Sequence, residues 1–190
     1  MILQALTQHY EALRKKGKVP PYGFSFAKTI ALITISPEGE LLQITPLTEE
    51  VTTGRTARQI AQTRMVPTPY VKSSGITPNF LYDASDYLVG LRPGGKADRT
   101  AECHAASADR HREVLSECEG IVAKAILNYF DRWTPNPEHA QIKDNMELIT
   151  AGSMIFEVSG HGLAHEDEEV RQAWSSYLEK TASDTELVCL

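Results

Sequence analysis

The sequence predicts an α+β fold: an N-terminal helix, an antiparallel sheet built around a hairpin, and a mainly helical second half. Three observations carry this. Leu3, Leu6, Tyr10 and Leu13 recur at helical spacing; residues 24–47 are rich in β-branched and aromatic side chains broken by one turn; and beyond Asp98 the apolar residues fall into amphipathic segments bounded by Gly and Pro.

The first helix spans residues 2–16, with Lys15 and Lys16 in its last turn and Gly17 as its stop. Pro20-Pro21-Tyr22-Gly23 is a rigid connector. Phe24–Ile35 and Leu41–Leu47 read as the two strands of a hairpin joined by Pro37-Glu38-Gly39-Glu40. Thr56–Met65 reads as a short helix ended by Pro67 and Pro69. Leu81–Leu91 reads as another strand, with Tyr82, Tyr87 and Leu88 in the core, closed by Pro93-Gly94-Gly95. Asp98 is placed to cap a helix reaching Glu117, Gly120–Trp133 is amphipathic, and Pro137 opens a third helix. Ser153–Ser159 is a short strand. Glu166–Lys180 is the last helix, with Val170, Trp174, Tyr177 and Leu178 on one face. Thr185–Leu190 reads as a strand that stops abruptly, which suggests the front piece of a longer protein.

The 190 residues are expected to form a single domain, β-rich over about 20–95 and helical over about 98–180; 42% hydrophobic and 23% charged residues fit a globular core. The longest aliphatic run, Ile30-Ala31-Leu32-Ile33, falls far short of the roughly 20 residues of a membrane span. Met1–Leu6 lacks the basic start of a signal peptide, so the cytoplasm is expected. Cys103, Cys118 and Cys189 have no CxxC spacing and read as reduced thiols. Cys103, His104, His111 and Cys118 lack a second ligand segment, so no zinc site and no cofactor are expected.

Charge is unevenly placed. The chain has 19 Lys and Arg against 25 Asp and Glu, a net charge of −6. Val51–Tyr82 holds no acid and four cations, Arg55, Arg58, Arg64 and Lys72, which leaves −10 for the rest. A positive field on an acidic body suits contact with phosphates or an acidic partner, although a solvated loop explains the same pattern on charge alone. The stretch ends in Tyr70-Val71-Lys72-Ser73-Ser74-Gly75-Ile76-Thr77-Pro78-Asn79-Phe80, a turn-rich segment of small donors. Lys72 suits a phosphate or a groove, Ser73 and Ser74 are short donors, and Gly75 permits close backbone approach. Asn79 suits a base edge or its own turn; Phe80 suits a wedge between base steps or an anchor in the core. Arg55, Arg58 and Arg64 read as phosphate-positioning groups, with Lys96 and Arg99 as weaker candidates.

Signatures of chemistry are sparse. There is no GxxxxGK[ST], no GxGxxG after a strand and no GxSxG. His161 between Gly160 and Gly162, and Cys103 beside His104, are the only enzymatic candidates, and neither assembles a nucleophile, base and orienting group.

Several ordered blocks carry a resemblance: Met1–Leu6 with the Tyr10 helix, Lys18–Phe24, Lys72–Asp83 with Tyr87–Leu91, Ala101-Glu102-Cys103-His104 and Phe130-Asp131-Arg132-Trp133. Together they resemble the N-terminal region of the large subunit of the type I-C CRISPR interference complex, Cascade. The resemblance implies a fragment of a longer, non-catalytic subunit that reads the protospacer-adjacent motif (PAM) in double-stranded DNA and helps start the R-loop. Guide-RNA pairing then reads the remaining target. It also implies guide-RNA-bound Cascade subunits and a recruited helicase-nuclease as partners. The basic stretch further suits a DNA-mimicking phage anti-CRISPR protein. Two rival readings stand beside this one: a module that docks onto a neighbouring subunit or the guide RNA, and an enzyme using His161 or Cys103-His104.

Overall fold

Two long extended runs open the described chain, and each breaks at one residue. Strands β1 (Phe24–Thr29) and β2 (Ala31–Ile35) part at Ile30, and β3 (Leu41–Pro46) and β4 (Thr48–Thr53) part at Leu47. The computed structural model describes residues 19–53, 56–71 and 75–188. The helix expected over 2–16 lies outside the described residues.

β2 and β3 form the expected hairpin, with Ala31 opposite Pro46 and Ile33 opposite Ile44. Beyond Ile30 and Leu47 the two runs diverge, and strand β5 (Thr56–Pro67) enters between them. The first half of β5 pairs with β4, Thr56 opposite Thr53 through Ala61 opposite Thr48. Its second half pairs with β1, Gln62 opposite Thr29 through Pro67 opposite Phe24. At the meeting point the Leu47 amide donates to the Ile30 carbonyl at 2.7 Å, and the Gln62 amide donates to the Leu47 carbonyl at 3.0 Å. Three antiparallel ladders thus radiate from Ile30, Leu47 and Gln62.

β5 replaces the short helix expected over Thr56–Met65. Ala, Arg and Gln favour helix intrinsically, but the gap between β1 and β4 offers backbone partners along the whole segment, and tertiary context outweighs propensity.

The β2/β3 ladder grows into a second sheet in the order β3-β2-β7-β6. β7 (Met154–Val158) is parallel to β2, as the expected strand over Ser153–Ser159. β6 (Tyr82–Asp83) and β8 (Gly162–Leu163) both pair antiparallel with β7. Leu81–Leu91 is therefore not a strand: two residues pair, and helix α1 (Ser85–Leu88) follows. The run lacks periodicity because Leu81, Tyr82, Tyr87, Leu88 and Val89 are all buried, a pattern shared by core strands and short core helices. Tyr82, Tyr87 and Leu88 do lie in the core, as expected.

Helices α2 (Ala97–Leu115), α3 (Ile121–Arg132), α4 (Ala140–Asp144), α5 (Met146–Thr150) and α6 (Glu168–Val188) complete the second half. Lys96 stands at the N-cap of α2 without a side-chain cap, and Asp98 instead complements the helix dipole from the first turn. Helix α3 starts after Gly120, whose amide donates to Glu169 Oε2 at 2.7 Å while the Glu119 amide donates to Oε1 at 3.0 Å. One carboxylate from α6 thereby satisfies backbone donors at the start of α3. Helix α6 runs to Val188, so the strand expected over Thr185–Leu190 is helix as far as it is described. Trp174, Tyr129, Phe80 and Phe156, all fully buried, form the bulk of a core drawn from the sheet and α1–α6 together.

Candidate nucleic-acid interface

The loop from Thr68 to Phe80 joins β5 to β6, and both of its feet are fixed. At the first foot the Tyr70 amide donates to Asn79 Oδ1 at 2.9 Å, which ties one end of the loop to the other. The Arg110 guanidinium lies 5.4 Å from the centre of the Tyr70 ring and donates to its hydroxyl at 3.3 Å. The same guanidinium lies 5.1 Å from the centre of the Tyr177 ring. Tyr177 stacks on Trp174 at 5.6 Å, and Trp174 stacks on Phe80 at 5.1 Å. Tyr70, Arg110, Tyr177, Trp174 and Phe80 therefore form one stacked column from the first foot to the second.

The second foot is held further by polar contacts. The Asn79 amide donates to Asp83 Oδ2 at 2.9 Å, and the Leu81 amide donates to His111 Nε2 at 3.0 Å. The Tyr87 hydroxyl is bonded to the Thr77 backbone and to Cys103; burial first, then Cys103, pushes this phenol up to about 12. The described residues between the feet are open to solvent at Val71 and Gly75. Val71 is 94% exposed, and Gly75, at φ +79°, has open space around it. Arg99 of α2 donates to the Gly75 carbonyl at 3.0 Å, so the start of α2 braces the crest.

Beneath the loop lies a cleft of about 510 Å³ lined by Tyr70, Asn79, Asp83, Asp86, Arg92 and Arg99, among others. Asp86 is buried and pairs with Arg92 at 3.2 Å. The cleft is polar and carries both signs of charge.

The structure sorts the predicted site residues into three groups. Gly75, Arg99 and Lys96 belong to the loop and the start of α2; Lys96 is exposed. Arg58 and Arg64 lie on β5, and Arg64 Nη2 donates to Gln62 Oε1 at 2.8 Å. Lys72, Ser73, Ser74 and Arg55 lie outside the described residues. Asn79 is 5% exposed and its side-chain oxygen braces the loop. Phe80 is 1% exposed, stacked between Trp174 and His111, which is the position of a core anchor and not of an exposed wedge. Arg110 and Tyr177 were not predicted as site residues. Both are separated from the loop by 30 residues or more, and no local pattern marks a cation that will meet two distant rings.

The other candidates fall elsewhere. Cys103 and His104 are buried on the inner face of α2, and His104 Nδ1 lies 2.9 Å from the Tyr87 carbonyl; burial lowers this imidazole's pKa. His161 is exposed in the turn between β7 and β8. Among the described residues no three His, Cys, Asp or Glu side chains cluster to hold a metal ion, and no helix is long and apolar enough to cross a membrane.

A family model described as CRISPR-associated protein (Cas_Csd1) matches residues 6–190. No curated protein matches the chain.

Proposed function

Since the chain belongs to the Cas_Csd1 family of CRISPR-associated proteins, we propose that it is the N-terminal, non-catalytic module of the large subunit of a type I-C Cascade complex, working in the cytoplasm. On this reading the Thr68–Phe80 loop meets PAM-containing duplex DNA and helps to begin the R-loop beside guide-RNA-bound subunits, after which a helicase-nuclease is recruited. Lys72, Ser73, Ser74 and the Gly75 backbone are the DNA-facing groups, and Asn79 and Phe80 position them from inside.

The observation that carries the reading is the loop's construction. Its two feet are pinned by the contacts that run from Tyr70 to Phe80, Val71 and Gly75 between them are exposed, and the sequence from Val71 to Phe80 holds no acid. A loop tied at both feet meets a groove at a lower ordering cost than an untethered one, which favours reading bases and not only phosphates. The minor groove offers a degenerate pattern suited to small donors and backbone.

The test is binding of target duplexes by the assembled complex carrying Lys72→Ala, on PAM-matched and PAM-substituted DNA. Loss of the preference for the matched PAM, with assembly intact, supports the reading. Undiminished discrimination by the variant would assign the loop to another subunit. That rival has one observation in its favour, the apolar Val71 at 94% exposure. A phage anti-CRISPR protein competing for the same loop would lose affinity with Lys72→Glu.

A further inference from the structure

β3 and β4 together form one outer edge, and the fold treats its two halves differently. The Leu47 amide reaches Ile30 and the Leu47 carbonyl reaches Gln62, so both backbone groups of Leu47 face inward. Backbone groups alternate sides along a strand. Those of Ile44 and Pro46 on β3 therefore face outward, as do those of Thr48, Glu50 and Thr52 on β4. The β3 half is closed: the Ile44 amide donates to Gln141 Oε1 of α4 at 3.1 Å, and Pro46 has no amide to leave open. The β4 half is open. Among the described residues no third strand joins it, and nothing pairs with the outward backbone of Thr48, Glu50 or Thr52.

The side chains along β4 decide what that edge can take. The strand has no proline, and its register with β5 is unbroken from Thr48 to Thr53, so neither of those usual obstacles to an added strand is present. Glu49 and Glu50 are consecutive and exposed, one on each face of the strand. Among the described residues neither forms an ion pair. These two charges turn away a second copy of the chain. In the antiparallel pairing that sets Thr48 opposite Thr52 of a copy, Glu50 would stand opposite Glu50, and like charges directly opposite are destabilising. They also repel a phosphate backbone. A strand with two consecutive cations is complementary, because it sets one cation against each acid, on opposite faces.

We infer that the outer edge of β4 docks an extended, basic segment of a neighbouring protein subunit, which adds as a further strand beside Thr48–Thr52 with cations against Glu49 and Glu50. This rests on the multisubunit assembly in the proposed function, and not on the Thr68–Phe80 loop meeting DNA. Each outward residue of β4 offers one donor and one acceptor, so the added strand gains up to about six backbone hydrogen bonds. In this mode of recognition the main chain supplies affinity and the side chains supply specificity.

The test is single-amide hydrogen exchange on the full chain, free and within the assembled complex. On assembly the outward amides of Thr48, Glu50 and Thr52 should slow by about tenfold or more, while those of Glu49 and Val51, already in the β5 ladder, change less. Thr52→Pro removes one outward amide and no charge, and should weaken incorporation into the complex. Glu49 and Val51 should stay protected in that variant when free, which shows that its ladder is intact, and Thr52→Ala should incorporate as the parent does. Glu49→Lys with Glu50→Lys should weaken incorporation about tenfold, and more at low salt than at high. Unchanged exchange at the outward amides on assembly would overturn the inference. So would full incorporation of Thr52→Pro or of the charge-reversed chain. Protection of the same amides by duplex DNA alone, or by concentrating the free chain, would give the edge to DNA or to a second copy and overturn it too. A complex that protects the edge yet ignores the PAM would leave this inference standing and remove the loop reading.

Discussion

The backbone amide of Leu81 donates to Nε2 of His111 at 3.0 Å, and the two residues are 30 positions apart. Leu81 has φ 55°, the left-handed region that costs an L-residue about 1–2 kcal/mol. His111 Nδ1–H donates to the Ser107 carbonyl at 2.7 Å, so the ring is the neutral tautomer with Nε2 free to accept. A strained backbone turn at the loop's second foot is thus held by an imidazole that must stay uncharged.

Acidification should loosen that foot. Burial lowers the His111 pKa from 6.5 to about 4. Burial also lowers His165 to about 4, helped by the nearby positive charges of Arg64 and Arg171. Between those values the unfolded chain binds protons that the folded chain does not, so stability is full above pH 6.5 and falls as the pH drops toward 4. Each ring should cost about 2 kcal/mol by pH 5. The urea midpoint at pH 7 and pH 5 measures the sum, and His111→Gln should reduce the difference by about half, leaving the His165 share. Identical midpoints at the two pH values would contradict a neutral, buried His111.

Asn79 and Arg110 should act on DNA binding through the loop's first foot. Asn79→Ala removes the acceptor for the Tyr70 amide and should cost about 1–2 kcal/mol of stability. Faster hydrogen exchange at Tyr70 should accompany it. Arg110→Ala, which removes the cation beside the Tyr70 and Tyr177 rings, should speed the same exchange, and Arg110→Lys should restore part of the protection because a cation beside the rings remains. Unchanged exchange at Tyr70 in both variants would show that the foot is held elsewhere.

Phe80→Ala should destabilise the protein by about 3–5 kcal/mol in the absence of DNA, because the ring is fully packed against Trp174 and His111. A variant as stable as the parent, with only DNA opening impaired, would return the ring to the surface.

The hairpin turn at Gly39 should be intolerant for two reasons. Its φ is +87°, and an added Cβ would clash with the Tyr129 amide and the Asn128 backbone of α3. Gly39→Ala should cost about 2–4 kcal/mol, whereas Gly94→Ala, at φ +71° in open space, should cost only about 1–2 kcal/mol of backbone strain. Equal thermal shifts for the two would mean that the turn does not pack on α3.

How much of this was legible in the sequence differs by element. Helix α3 was placed almost to the residue because its apolar stripe is bracketed by Gly120 and Trp133. The hairpin β2/β3 was legible from its β-branched residues and turn. β5 was not, because a strand that pairs with β4 on its exposed first half and with β1 on its second shows little hydrophobic contrast between its faces. The run after Phe80 hid its short helix for the opposite reason, being buried on every side, its Asp83, Ser85 and Asp86 included. The acid-free stretch and the turn-rich loop were visible as a candidate site, but which residues face outward was not. Asn79 and Phe80 turn inward through contacts to Tyr70 and Trp174. Arg110 and Tyr177 join the site only through packing that no local spacing encodes.

The junction at Ile30, Leu47 and Gln62 has a consequence for how the molecule tolerates change in chain length. β4 claims Thr56–Ala61 and β1 claims Gln62–Pro67, with no spare residue between the two registers. A slip in either ladder would therefore have to be matched in the other. Removing one residue at the Ala61–Gln62 boundary would either detach β4 or rotate Arg58 and Ile60 to the opposite side while Arg64 stayed in place. Added length is thus tolerated between Thr53 and Thr56, where it shifts neither ladder, and not within β5 itself.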